Sequence, residues 1–126
     1  MIADTNFVID LMNGKREAIS KFGSLDAPFK ITSVTLFELC TGMEFADDKI
    51  KEKNKIEKVL KEQMIFPLDS ASAEFAGKIN GRLIKKGMQI SAEDCMIAGI
   101  AIKNNESVLT RDEHFKRIEG LKIDSY

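Results

Sequence analysis

MIADTNFVID, residues 1–10, carries the two signals on which the rest of the chain can be placed: a short apolar strand and a carboxylate where that strand ends. Ile2 and Ala3 form the strand, Asp4, Thr5 and Asn6 a polar break, and Phe7, Val8, Ile9, Leu11 and Met12 the apolar side of a following helix. In an open α/β sheet the C-terminal strand ends border the ligand crevice, so a carboxylate at this switch from strand to helix points into it. The simpler role for Asp4 is a helix cap, since an Asp side chain readily accepts from the first free backbone N–H groups. Whether other acids converge on Asp4 separates the two roles.

Outward from this stretch the chain alternates strand and helix signals. A helix over 6–12 stops at Asn13-Gly14, a turn dipeptide, and a second over 15–22 presents Ala18, Ile19 and Phe22 on one face before Gly23. FKIT at 29–32 predicts the second strand, with Ser33 as N-cap of a helix over 34–44. A charged helix over 47–63 has Ile56, Val59, Leu60 and Ile50 as its narrow apolar stripe and a Glu57–Lys61 pair on its solvated side. MIFPL at 64–68 is the third strand, and Pro67 puts it at or near a sheet edge. Asp69 and Ser70 cap a helix reaching about Lys86, with Phe75, Ala76, Ile79, Leu83 and Ile84 buried. Ser91 starts a compact apolar helix, SAEDCMIAGIAIKNN. SVLT at 107–110 is the fourth strand, 112–118 a short helix, and LKI at 121–123 a fifth strand. This alternation calls for a parallel sheet of about five strands covered on both faces, and 126 residues without a linker or repeat fit one domain over 1–126.

Composition narrows the chemistry. His114 is the only histidine, and Cys40 and Cys95 form no C-x-x-C pair, so both cysteines are expected as buried thiols and a His- or Cys-based metal site is disfavoured. No apolar run approaches the roughly 18 residues that span a bilayer, and no basic-then-apolar leader precedes the first strand, so a cytoplasmic location is expected. The formal net charge is −1, but if four carboxylates surround a metal ion the remaining surface carries 19 basic against 16 acidic groups, which permits a nucleic-acid partner.

The acids then acquire positions. Asp94 lies on the same side of its helix as Ile97, Ala98 and Ala101, the side expected to face the core. An ionised carboxylate there requires a dipole, a basic partner or a cation, although a place in the first helical turn is its plainer explanation. The small residues Ala98, Gly99 and Ala101 are expected to let this helix approach the sheet. Asp112 follows the fourth strand as Asp4 follows the first, and it too could cap a short helix. Glu38 is weakest by geometry: its helix is expected to bury Leu36, Phe37, Leu39, Cys40 and Met43, leaving Glu38 on the other side with Val34, Thr41 and Gly42.

The ordered pattern IADTN, SVTLFEL, SAEDCMIAGIA and VLTRDEHF, spread over nearly the whole chain, resembles the PIN-domain nucleases and within them is similar to VapC toxins of toxin–antitoxin pairs. The resemblance implies a three-layer α/β fold and an acidic quartet of Asp4, Glu38, Asp94 and Asp112, with Asn6 and Thr110 in support. Many relatives have asparagine where Asp112 stands, which makes Glu113 its competitor. It also implies endonucleolytic RNA cleavage with Mg²⁺ or Mn²⁺, a homodimer, and a VapB-type antitoxin seated in a groove beside the active site.

An all-oxygen donor set suits a hard divalent cation, with Asp4 and Asp94 as first direct ligands. Arg111, Lys15 and Arg16 are candidate phosphate contacts, each otherwise an ordinary surface cation. Phe7, Val8, Leu11, Met12, Phe37, Met43 and Phe45 exceed the needs of a small core, so some of them could line a protein interface. Other readings remain: a housekeeping PIN nuclease, a non-catalytic PIN-like module, or a phosphoaspartyl hydrolase. The last wants a second Asp two residues after the first, where Asn6 stands. A receiver domain wants an acidic pair near the first strand and a lysine after the last core strand, and neither is evident.

Overall fold

The computed structural model describes all 126 residues. In chain order the elements are β1 (Ile2–Ala3), α1 (Thr5–Met12), α2 (Arg16–Gly23), β2 (Ile31–Thr32), α3 (Ser33–Glu44), α4 (Lys49–Leu60), β3 (Ile65–Phe66), α5 (Ser70–Lys85), α6 (Ala92–Lys103), β4 (Val108–Thr110), a 3₁₀ turn (Glu113–Arg117) and β5 (Ile123–Ser125).

All strand pairings are parallel. β1 pairs with β4 (Ile2 opposite Val108, Ala3 opposite Leu109), β4 with β5, and β2 with β3. The three-stranded and two-stranded parts meet at a bridge between Ile2 and Lys30, where Ala3 N–H donates to the Lys30 carbonyl at 2.8 Å. The strands therefore run β3-β2-β1-β4-β5, and β3, followed by Pro67, occupies one edge as the proline requires.

Strand alternation divides the core. Ile2 and Val108 point into the cluster formed with Ile79, Leu83 and most of the buried side of α6, whereas Ala3 and Leu109 point into the cluster of Phe7, Val8, Ala18, Phe29, Leu39 and Ile56. The result is three layers, with parallel strands buried on both faces. α6 is buried at Cys95 and continuously from Ile97 to Ala101, which explains its apolar composition on almost every side. A Cβ at Gly99 would stand 2.6 Å from the Ser72 carbonyl oxygen and 2.7 Å from the Ala76 nitrogen. This glycine thus brings α6 against α5, not against the sheet as expected.

Several local expectations are corrected. Thr32, not Ser33, caps α3 by accepting from Thr35 N–H, while the Ser33 hydroxyl accepts from Leu68 N–H at 3.0 Å. The ion pair on α4 is Lys53–Glu57, one turn before the expected Glu57–Lys61. β5 begins at Ile123, so Leu121 and Lys122 lead into the strand from the turn at Gly120, with the Lys122 carbonyl already accepting from Val108 N–H at 2.9 Å. Phe75, Ile84, Ile19, Phe22 and Ile50 are exposed, as is the Cys40 thiol, because each helix meets its layer along a narrower stripe than its apolar count implies. No helix is long and apolar enough to cross a membrane.

Candidate functional site

Asp4 lies at the C-terminal end of β1, next to the end of β4, and the register of that pair fixes its surroundings. Its backbone N–H donates to the Leu109 carbonyl at 3.0 Å. One carboxylate oxygen, Oδ1, accepts from Phe7 N–H at 2.8 Å and caps α1; the other, Oδ2, accepts from the Thr110 hydroxyl at 2.5 Å. The cap and the crevice acid are therefore one residue, serving each role with a different oxygen. Asp4 is 2% exposed, and no lysine, arginine or histidine pairs with it, with Glu38 or with Asp94.

The remaining acids arrive from three elements. Thr110 accepts from Asp112 N–H at 2.9 Å, which holds Asp112 beside the strand end, and Asp112 Oδ1 in turn caps the 3₁₀ turn through His114 N–H. Asp94 stands half-buried in the first turn of α6, where its N–H donates to the Ser91 hydroxyl. Glu38 corrects the helical-wheel expectation. The inward side of α3 is Val34, Thr35 and Leu39, with Glu38 half-buried among them, while Phe37 is 63% exposed. Glu38 Oε1 accepts from the Thr5 hydroxyl at 2.7 Å, and Thr5 touches Thr35, whose N–H is held by Thr32.

These carboxylates perturb one another. Burial is the main cause that raises Asp4 to about 6, and the charges of Asp94 and Asp112 push the same way against the hydrogen bonds from Thr110 and Phe7. Burial also raises Asp94, with Asp112 and Glu93 adding to it, and raises Glu38, with Asp94 and Glu93 adding. Asp94 is thus electrostatically linked to each of the other three. As the side chains stand, no three acids are close enough to ligate one ion together. A buried, unneutralised Asp4 flanked by half-buried acids fits a hydrated Mg²⁺ or Mn²⁺ held by one or two carboxylates better than an all-protein cage.

Glu113 points away, mostly exposed and paired with Lys116, so the geometry favours Asp112 over it. Asn6 is exposed, and the polar contact made at the start of α1 comes from Thr5. Arg111 and Lys15 both bind Asp10, and Arg16 is exposed at the start of α2. Thr35, Glu93, Asp10 and Tyr126 are participants not singled out from the sequence, where Thr5 is placed only as part of the polar break after the first strand. The TNF run at 5–7 and the lone acid Asp10 on an apolar helix were the available signals.

The chain matches the family model for the PIN domain over residues 1–121. It is 30% identical over 125 residues to the tRNA(fMet)-specific endonuclease VapC of Salmonella typhimurium, with 98% of this chain and 95% of that protein covered. Among solved structures, it superposes on VapBC2 of Rickettsia felis bound to a promoter DNA fragment with a TM-score of 0.91 at 24% identity, covering 99% of this chain and 97% of that one. It superposes on DNA-bound VapBC of Salmonella typhimurium with a TM-score of 0.88 at 27% identity, covering 98% and 96%. A sheet whose first and fourth strands end together in buried carboxylate and hydroxyl groups, joined to these likenesses, places the chain in the PIN-domain family, among its VapC ribonucleases.

Proposed function

We propose that this chain is a Mg²⁺- or Mn²⁺-dependent endoribonuclease, the toxin of a toxin–antitoxin pair, and that Asp4, Glu38, Asp94 and Asp112 are its catalytic and metal-holding residues. The observation that carries the reading is Asp4: a buried carboxylate with two fixed hydrogen bonds, neighbouring acids and no basic partner. An unpaired ionised group in such a place costs several kcal/mol unless a cation or a proton compensates it. When bound, the ion supplies Lewis acidity toward a phosphoryl oxygen and a water of lowered pKa.

The chain's own residues supply the rest. Phe7 N–H and the Thr110 hydroxyl hold the Asp4 carboxylate in one orientation, and Thr110 also ties Asp112 to the same strand end. Glu38 has Oε1 fixed by Thr5, and no side chain around it donates to Oε2. Oε2 is the site assigned to take the proton of the attacking water. As the water oxygen bonds to phosphorus, the P–O bond to the leaving sugar oxygen breaks, and that oxygen takes its proton from solvent.

The assembly proposed is a homodimer that binds a VapB-type antitoxin. Phe45, 84% exposed, and Phe37 at the outer side of α3 are apolar surface that these partners would cover. Single-domain organisation over 1–126 is part of the same reading.

The test is incubation of the purified chain with structured RNA and Mn²⁺, beside EDTA and beside Asp4→Asn. Cleavage is expected only with ion and intact Asp4. Cleavage that persists in the Asp4→Asn protein would assign the activity to another site or to a contaminant.

A further inference from the structure

A second charge cluster lies beside the four acids and is not one of them. Asp10, near the end of α1, is 3% exposed. Its Oδ2 accepts from the Tyr126 hydroxyl at 2.8 Å and forms an ion pair with Arg111 Nε at 3.0 Å; its Oδ1 accepts from Arg111 Nη2 at 3.3 Å and forms an ion pair with Lys15 Nζ at 3.0 Å. One carboxylate thus holds two full positive charges, and the side chains of Arg111 and Lys15 remain 51% and 49% exposed. Asp10 accepts one of the five N–H donors of the Arg111 fork, from Nη2, and lies beside Nε, so donors remain on the exposed side of the guanidinium.

This excess cation is fixed in place. The Tyr126 ring meets the fully buried Phe7 edge-on, with centroids 4.9 Å apart, and Lys15 N–H closes the Asn13-Gly14 turn onto the Asp10 carbonyl at 2.9 Å. Arg111 stands between Thr110, which donates to Asp4, and Asp112. The Tyr126 hydroxyl senses the charge of Asp4 as well as that of Asp10, so the cluster adjoins the acids. Beyond Tyr126 an open depression is lined by Arg16, Glu17 and Lys21; Lys21 is paired with Asp124 at 2.9 Å, so the excess positive charge at this place is that held by Asp10.

We propose that Asp10 and Tyr126 are positioning residues that hold Arg111 and Lys15 as a preformed clamp for a phosphodiester group flanking the scissile one. The proposal rests on the ribonuclease reading and assigns the substrate-backbone contact of that same site. A long, mobile cation loses rotamer freedom when it captures a phosphate; here that freedom is already surrendered to Asp10 and Tyr126.

The test is the binding of a fluorescently labelled single-stranded RNA oligonucleotide in EDTA, where the ion is absent. Asp10→Asn adds one positive charge to the protein, so a general electrostatic field would tighten binding. The clamp predicts the opposite sign: affinity weaker by about threefold to tenfold, with the log–log salt slope shallower by about 0.7 for one lost phosphate contact. Arg111→Gln behaves the same way, and Asp10→Asn adds less in its presence than it does alone, because the two variants share the loss of the held Arg111 and differ only by Lys15. Tyr126→Phe leaves the charge unchanged and weakens binding in the same direction; it decides the matter if circular dichroism shows that Asp10→Asn does not fold. RNA affinity equal to or tighter than wild type in the folded deciding variant overturns the clamp. Failure of the ribonuclease reading is separate, since it would show as wild-type protein that does not respond to Mn²⁺ in melting or cleavage.

Discussion

At the scale of single residues, Asp4 shows how a cap becomes a site. Its two hydrogen bonds stabilise the ionised form, yet burial and the charges of Asp94 and Asp112 outweigh them and raise it from 3.8 to about 6. An acid that is weaker in the folded protein takes up a proton on folding. Its contribution to stability is therefore complete below the unfolded value of 3.8 and is lost as pH rises through about 6. The change corresponds to about 3 kcal/mol in the metal-free protein. Asp4→Asn keeps the shape and the Phe7 N–H acceptor without the charge, and the Thr110 hydroxyl can turn to accept from the new amide. In EDTA this variant is expected to be more stable than wild type by about 1–3 kcal/mol at pH 7.5, and equal to it near pH 4. Urea unfolding at the two pH values measures this. A wild-type protein that is the more stable one at pH 7.5 would mean that the Asp4 charge is already compensated by the chain itself.

At the scale of elements, α6 carries the tightest packing constraint. Ser91 caps it, Asp94 sits in its first turn, and Gly99 lets it lie against the backbone of α5. Gly99→Ala would force the two helices apart, because the new methyl group meets main-chain atoms that cannot rotate aside. A loss of about 2–3 kcal/mol is expected from that overpacking, read as an earlier urea midpoint, and Mn²⁺ affinity should fall with it because Asp94 rides on the same helix. An unchanged midpoint would show that α5 and α6 can slide apart freely. These elements also show what the sequence could tell. The likeness of the ends of β1 and β4 was legible, because IADT and VLTRD each switch from apolar to acid within a few residues, whereas the strand order needed the pairing itself. The role of Gly99 was not, because a small residue in a helix does not say which neighbour approaches it. The inward side of α3 was misjudged for a related reason. Counting apolar residues put Phe37 and Cys40 inside, whereas the space over the crevice is filled by Thr5, Thr35 and Glu38, whose hydroxyl and carboxylate groups satisfy one another.

At the scale of the whole molecule, the near-neutral total of −1 conceals a separation of charge: acids without a lysine or arginine partner gather at the C-terminal ends of the central strands, and Arg111 and Lys15 are anchored beside them. On the proposed metal-dependent reading such a molecule is destabilised by its own site until a cation arrives, which couples metal binding to folding. With Mn²⁺ at a hundred times its Kd, linkage gives about 2.7 kcal/mol. For a chain of this length that is a rise in Tm of about 10 °C over EDTA at pH 7.5. The rise should shrink at pH 5, because below about 6 Asp4 holds a proton that the ion must displace. It should also vanish in Asp4→Asn and survive in Arg111→Gln, which lies on the cationic side of the division. Differential scanning fluorimetry with Na⁺ at matched ionic strength as the control separates ion binding from charge screening. If the rise were the same at pH 5 and pH 7.5, or persisted in Asp4→Asn, the ion would be bound somewhere other than the end of β1, and the acids gathered there would need another explanation.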